Sequence, residues 1–431
     1  MTDASGSAAV PQPSSAGGYR WFVLAVLFLV YVLNFIDRQL LAILAKPIQD
    51  DLGITDSQLG LLGGLYFAMF YCVIAIPVAW LADRTNRVRV LAIACALWSA
   101  ATIACGLAGT YAQLAAARMA VGVGEAGGVP PSYSIISGYF APGERGRALG
   151  LFNLGPPIGQ ALGVAFGATI AANYDWRTAF VAIGAAGVAM GAAVWLSVRE
   201  PKRAAPVVPA ATAPSVGGTV TLAGAARAFV AHPVLMLAAL AAGATQFVTY
   251  ASLNFNVLLL MREKAMPLGA VSIWYALVLG VAVSAGIYAS GVLTDRLTRR
   301  SRAAYALVPA AGLALALLPF VGFIWAPEWP LAIAFLALPL FYNFFYLTPV
   351  VALVQDAVPA EQRTLASALL LLVMNLIGLG FGPTFLGMAS DWWRAGGADN
   401  PLQLAYYCLV PFQLLAIALF LLLARRLRRA V

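Results

Sequence analysis

Arg118-Met119-Ala120-Val121-Gly122-Val123-Gly124-Glu125-Ala126 places two full charges inside a stretch that otherwise has the composition of a membrane-crossing helix. Seven residues separate the arginine from the glutamate. At about 100° and 1.5 Å per residue they fall about 20° apart on one helix face and about 10 Å apart along its axis. A second charged pair, Asp37-Arg38, interrupts the first apolar segment. An ionisable group inside a bilayer costs at least about 2.5 kcal/mol on the mildest scale, so such groups face water or protein and mark function. The structural alternative is a buried ion pair that only locks two helices together.

Around these charges the chain is apolar. Of its 431 residues 62% are hydrophobic and 10% charged, and the mean hydropathy is +0.86. Soluble domains run near 45–50% and about 25%. We therefore expect an all-α integral membrane protein. Twelve apolar segments, roughly 20–41, 59–81, 90–109, 111–136, 148–172, 177–198, 233–261, 268–293, 303–325, 330–355, 364–390 and 402–424, are each long enough to cross about 30 Å of hydrocarbon. Nothing reads as a signal peptide.

The net charge of +9 belongs to topology rather than to nucleic acid. With the N-terminus inside, nineteen of the twenty-six Lys and Arg fall on the inner side and five on the outer (Lys46, Arg177, Arg262, Lys264 and Arg394), while Arg38 and Arg118 lie in the membrane. By the positive-inside rule both termini are expected in the cytoplasm, in a plasma (inner) membrane, with the basic loops against anionic lipid headgroups. The four cysteines fall in apolar segments, so no disulfide framework is expected. His232, the single histidine, has no partners for a metal site and reads as an interfacial residue. No metal or cofactor is expected.

The segments divide six and six. We expect a disordered tail over 1–18, a first half over 19–199, a Pro/Ala/Gly-rich linker over 200–228, a second half over 229–424 and a basic tail over 425–431. Residues 221–232 suit a short interfacial helix. The halves echo each other in order. Asp83-Arg84 recurs as Asp295-Arg296, Pro142-Gly143-Glu144-Arg145 as Pro359-Ala360-Glu361-Gln362-Arg363, and Asn153-Leu154 as Asn375-Leu376, at offsets of 212, 217 and 222 residues. Many transporters are built from such repeats, with the binding site between them.

These residues carry a resemblance to the major facilitator superfamily over essentially the whole hydrophobic length. The loop after segment two resembles its Gly-x-x-x-Asp-Arg-x-Gly-x-Arg-Arg motif: Asp83, Arg84 and Arg89 match, while Ala79, Asn86 and Val88 depart from it. The second copy keeps Gly291, Asp295 and Arg296, and Arg118-x-x-x-Gly122-x-Gly124 matches the segment-four motif. Asn34-x-x-Asp37-Arg38, with Glu125-Ala126, is similar to the spinster branch. The resemblance implies a twelve-helix fold of two pseudo-symmetric halves, proton-linked movement of lysophospholipid or sphingosine-1-phosphate, and a cytoplasmic latch containing Asp83 and Arg84.

Depth along the helices adds chemistry to this. Asp37 lies roughly 25 Å above Arg20 and Arg118 about 10 Å below the outer end of its helix, so they share the outer half, with Glu125 about 10 Å deeper. Arg118 can then pair with either carboxylate. Asp37 and Arg38 diverge by about 100° and cannot both point straight into one cavity. Burial favours a neutral carboxyl and an arginine a charged one, so moving the arginine changes proton affinity. Asp37, Glu125 and Arg118 are the expected proton-coupling residues. Asn34, Arg38, Arg118, Glu125, Gln246, Tyr250, Asn254, Tyr342, Tyr346 and Asn375 are candidates for the solute site, although the uncharged ones suit interhelical hydrogen bonds equally. Asn343 accompanies the segment-ten tyrosines. Gly155-Pro156-Pro157 and Gly382-Pro383 are expected to bend segments five and eleven. Gly155, Gly159, Gly163 and Gly167 recur every fourth residue and read as a packing stripe.

A monomeric secondary transporter for a small amphipathic, anionic solute fits best. A proton antiporter for cationic drugs, or a carrier of sugars or other small solutes, suits Asp37, Glu125 and the aromatic residues nearly as well. No lysine follows glycine, so there is no phosphate-binding loop of a primary pump. A lipid-acting enzyme would have only an acid–base pair of Glu125 and Asp37 to use.

Overall fold

The structure, a computed structural model, describes residues 17–201, 227, 229–358 and 363–429. The expected tail over 1–18, apart from Gly17 and Gly18, lies outside the described residues, as do most of the expected linker, most of the 221–232 segment, and Pro359-Ala360-Glu361-Gln362 of the second-half repeat. Every described crossing is helical, because lipid offers no partner for a free backbone N–H or C=O. The helices are α1 (Gly17–Ile43), α2 (Asp56–Ala82), α3 (Arg87–Gly106), α4 (Tyr111–Glu125, continued as Val129–Tyr139), α5 (Glu144–Asn173), α6 (Trp176–Ser197), α7 (Pro233–Arg262), α8 (Leu268–Thr298), α9 (Ala304–Trp325), α10 (Trp329–Asp356), α11 (Ala366–Ala395) and α12 (Pro401–Arg429). Eleven are long and apolar enough to cross a membrane by themselves. The fourth crossing is shared by two shorter pieces that both pack on α2 and α3.

Polar side chains mark where helices begin. Asn86, Thr110 and Asp175 accept from the amides of Arg89, Gln113 and Thr178. Thr55 and Gln58 form a reciprocal cap at the start of α2. His232 serves the same end: its Nδ1 accepts from Leu235 N at 3.4 Å, one residue before the proline that opens α7.

The breaks in the helices repeat between the halves. α4 parts at 126–128 and α10 at 343–346. α5 parts at 153–154, just before Gly155-Pro156-Pro157, and α11 widens into π-type turns over Leu376–Phe381, just before Gly382-Pro383. These two pairs begin 217 and 223 residues apart, within one residue of the offsets of the sequence repeat.

Glycine decides how closely the helices approach. A Cβ at Gly159 would strike the backbone of α1 at Val32, and one at Gly163 would come within 3.0 Å of Ile36, so the stripe on α5 packs α1. The halves meet along α1 with α7, α2 with α11, and α5 with α8. Exchanging the halves maps the second contact onto the third. α7 is the central helix: 78% of its most apolar stretch is buried in protein, against 33% for α6 and α12, which face lipid.

Candidate functional site

The two charged motifs meet at the centre of the first half, on α1 and α4. Asp37 is 2% exposed, Arg118 3% and Glu125 1%. The pairing differs from the expected single arginine shared by two acids. Glu125 Oε2 accepts from Arg38 Nε at 2.6 Å. Arg118 Nη1 stands 3.8 Å from Asp37 Oδ1 without a hydrogen bond. Each acid therefore has its own guanidinium. The reason is the divergence of neighbours on α1: Asp37 turns toward α3, where Thr102 donates to its Oδ2, and Arg38 turns the other way, toward Glu125 and the cavity.

Arg38 is also held by three rings. Its guanidinium carbon lies 5.0 Å from the centroid of Phe35, 5.1 Å from Phe67 and 5.1 Å from Tyr71, and Arg118 lies 5.5 Å from Phe67. Cation–π contacts of this kind contribute about 0.5–2 kcal/mol each, more when water is excluded. The cage is absent from the sequence reading. Its only sequence signals are the i, i+4 spacing of Phe67 and Tyr71 and the i, i+3 spacing of Phe35 and Arg38.

The guanidinia face a cavity between the halves. Phe35, Arg38, Gln39, Phe67, Arg118 and Gln160 line it from one half and Tyr250, Leu253, Asn254 and Leu379 from the other. The space open to the centre of a water molecule is about 40 Å³, enough for a few waters. Several buried polar atoms have no hydrogen-bond partner: Arg118 Nε and Nη1, Glu125 Oε1, Asp37 Oδ1, Gln160 Oε1, Asn34 Oδ1 and Gln246 Oε1.

Of the expected solute-site residues, Arg38, Arg118, Tyr250 and Asn254 line this cavity, and Glu125 sits directly behind Arg38. Gln246 donates to Asn375 at 3.0 Å, tying α7 to α11 beside the cavity. Asn34 is buried on α1 but is not in the lining. Tyr342 and Tyr346 are not in it either. Tyr342 packs on Phe341 and Phe345, and Tyr346 is buried in an apolar cluster with Leu313, Val350 and Leu370. Tyr342 precedes the break in α10 and Tyr346 ends it, where helical periodicity stops assigning faces. Asn343, inside that break, is buried with its Oδ1 unpartnered.

On the side away from the basic loops the cavity is closed. Asp56, fully buried at the start of α2, receives Arg262 of α7 through both nitrogens at 2.9 and 2.8 Å, Arg394 of α11 at 2.6 Å, Ser390 at 2.6 Å and Gln49 at 2.6 Å. Asp391 of α11 accepts from the amides of Asp56 and Ser57 at 3.2 and 2.7 Å. Below this, Gly60 and Gly64 bring α2 against the backbone of α11 at Pro383 and Gly380. On the basic side, the contacts described for the loops lie within their own halves. Arg84 lies over Trp80 at 4.3 Å, Arg89 over Trp195 at 5.7 Å, Glu200 accepts from Val88 N, and Tyr305 donates to Asp356. The Asp83 side chain lies outside what the structure describes. Asp295 and Arg296 are exposed, and a Cβ at Gly291 would meet only Thr348, at 3.7 Å.

The glycines after Arg118 explain their own spacing. A Cβ at Gly122 would come within 2.8 Å of Phe67 O on α2, and one at Gly124 within 2.6 Å of Trp98 N on α3. They let α4 sit deep enough between α2 and α3 for its charges to reach α1. Gly124→Ala is therefore expected to destabilise the protein by about 1–3 kcal/mol, read as a lower thermal unfolding midpoint in detergent. An unchanged midpoint contradicts the close packing.

Known proteins can be set beside this geometry. Residues 27–383 match the Major Facilitator Superfamily. An MFS-type efflux pump of Mycolicibacterium smegmatis is 32% identical over 373 residues, 86% of this chain and 84% of that protein. Protein spinster of Drosophila melanogaster is 35% identical over 176 residues, 40% of this chain and 29% of that protein. The crystal structure of a bacterial homologue of the human lysosomal transporter spinster, inward-facing and unoccupied, matches with a TM-score of 0.86 at 29% identity, covering 96% of this chain and 99% of that one. With its charged helices, two-half repeat and this breadth of likeness, the chain belongs to the major facilitator superfamily of membrane transporters.

Proposed function

We propose that the protein is a proton-coupled secondary transporter that moves an amphipathic anion, a lysolipid or sphingoid phosphate, by alternating access. The observation that carries this reading is Arg118: buried, lining the central cavity, with Nε and Nη1 unpartnered and its carboxylate 3.8 Å away. A guanidinium so placed has donors to spare for a headgroup oxygen, and arginine suits phosphate and carboxylate through its planar fork. Each buried acid stands between burial, which favours its neutral form, and a guanidinium, which favours its charged form. A proton on Asp37 frees Arg118 for the headgroup, and a proton on Glu125 frees Arg38. The apolar tail has the aromatic and leucine wall of Phe35, Phe67, Tyr250, Leu253 and Leu379. The present cavity has room for only a few waters, so solute must displace side chains on entry, as a ligand that shifts a conformational equilibrium does.

The excess of arginine on one side supports placing that side and both termini in the cytoplasm of a plasma membrane. The closed far side then makes this an inward-facing arrangement. The protein acts as a monomer in this reading, with protons and surrounding lipid as its partners. A second reading rests on the Arg38 cage. Three rings and Glu125 form a cation site that the protein fills with its own arginine, and a cationic drug could take the place of that guanidinium.

A thermal-shift screen of the purified protein separates the two. Sphingoid phosphates and anionic lysolipids are expected to stabilise the parent, by about 2.7 kcal/mol at a hundred times the dissociation constant, and to lose that effect in Arg118→Ala. Stabilisation by cationic drugs alone, retained in Arg118→Ala, selects the second reading.

A further inference from the structure

Thr102 stands behind the site, fully buried on α3. Its hydroxyl has two neighbours: Asp37 Oδ2, to which it donates, and the carbonyl of Trp98 one turn earlier, at 2.9 Å. A threonine hydroxyl has one hydrogen and two lone pairs, so it donates to one of these at a time and can accept from the other only if that group carries a proton. The carbonyl never does. Asp37 does when it is neutral.

We propose that Thr102 is the positioning residue for proton binding at Asp37, its hydroxyl turning between Asp37 Oδ2 and Trp98 O as the carboxyl gains and loses its proton. This rests on the reading that Asp37 carries a transported proton. When Asp37 is charged, Thr102 donates to Oδ2 and Arg118 faces Oδ1. When a proton from water adds to Oδ2, the new O–H donates to Thr102 Oγ1, and the Thr102 hydrogen swings to the Trp98 carbonyl, which has a spare lone pair beside its helical bond. One O–H bond breaks in the hydronium that delivers the proton, leaving water, one O–H bond forms at Asp37, and a hydroxyl rotates. Buried polar atoms are costly when unpaired, so a carboxyl that is buried in both forms needs a neighbour that serves both.

The other groups near Asp37 do not meet that need. Arg118 has donors and no acceptor, so it cannot accept from the O–H of the neutral acid. Arg38, on the same helix, is engaged by Glu125 on α4. Glu125 itself is the like charge nearby. The α3 thiols Cys95 and Cys105 are buried and weak as donors and acceptors. Thr102 is the neighbour that both donates and accepts. Oδ2, not Oδ1, is then the oxygen that takes the proton, which leaves Oδ1 and the Arg118 side of the site open to change as the charge is lost.

The test reads the carboxyl directly. In the full-length protein in lipid, the infrared C=O band of the protonated acid is titrated against pH and assigned by its loss in Asp37→Asn. Thr102→Val keeps the shape and removes the rotor. The charged form then loses a stronger hydrogen bond than the neutral form, so the midpoint is expected to rise by about one pH unit, a tenfold gain in proton affinity. Thr102→Ser should restore the parent midpoint, and Thr102→Cys, a poor donor, should move it in the same direction as valine. An Asp37 band whose midpoint stays in place in Thr102→Val and Thr102→Cys overturns the role of Thr102 and leaves Asp37 as a proton carrier. Absence of any titrating band that Asp37→Asn removes overturns the proton role of Asp37 and this inference with it.

Discussion

Asp56→Ala is expected to open the far mouth. In the parent, Asp56 on α2 of the first half holds α7 and α11 of the second in one ion cluster, with Arg262 bound by both nitrogens and Arg394 by one. Removing one partner of a buried pair costs about 3–5 kcal/mol, because the remaining charge is left unmatched. Arg394 is 43% exposed at its side chain and water takes part of its share, so the estimate rests on Arg262, at 21%. The unmatched guanidinia recover hydration when the halves separate. The cost therefore falls on the closed state and shifts the balance between states, where about 5.5 kcal/mol suffices to invert a 99:1 ratio. Leu253→Cys, placed in the cavity lining of a variant freed of Cys72, Cys95, Cys105 and Cys408, reports the change. A membrane-impermeant thiol reagent added on the far side should label it at least about tenfold faster once Asp56 is alanine. Equal labelling rates would show that the glycine contacts at Gly60 and Gly64 hold the mouth shut without the charges.

How legible this site is in the sequence depends on what each residue must do. The helices are legible because lipid imposes length and composition on every crossing; the breaks at 126–128 and 343–346 are not among the expected bends. Asp37, Arg38, Arg118 and Glu125 are legible because charge in hydrocarbon is costly and rare. Their pairing is not. Arg118 and Glu125 share a face by helical arithmetic, yet the glutamate reaches Arg38, because the depth of α4 is set by Gly122 and Gly124 against α2 and α3. Phe67 and Tyr71 escape notice because aromatic residues are common in apolar helices, and only the fold brings these two rings to the Arg38 guanidinium. Asp56 reads as a loop acid beside Arg262 and Arg394, which count as ordinary outer-side charges until α7 and α11 bring them over it. Thr102 looks like any hydroxyl in a membrane helix. Tyr342 and Tyr346 mislead in the opposite way, since their spacing is regular and the helix that carries them is not.

Glu125→Gln is expected to uncouple transport from the pH gradient while leaving solute binding intact. The two acid–arginine pairs are unequal. Arg38 and Glu125 share a charge-assisted hydrogen bond of 2.6 Å with the glutamate side chain wholly buried, whereas Arg118 and Asp37 stand 3.8 Å apart. Breaking the closer pair changes the energy of the site more, so protonation of Glu125 carries the larger share of any coupling between proton and conformation. Glutamine reproduces the neutral acid in shape and charge. It still accepts from Arg38 Nε, and the cage of Phe35, Phe67 and Tyr71 still surrounds the guanidinium, so the fold and the solute site persist. The variant is fixed in the electrostatic condition that the parent reaches only with a proton bound. In reconstituted vesicles, a pH difference of one unit is worth about 1.4 kcal/mol per proton and changes the accumulation ratio of the parent about tenfold. In Glu125→Gln the ratio should stay near one whatever the gradient, with solute exchange between the two sides still saturable. A variant that keeps the tenfold response would move the proton to Asp37 alone, and Arg38 would then be a structural partner of Glu125 rather than a switch.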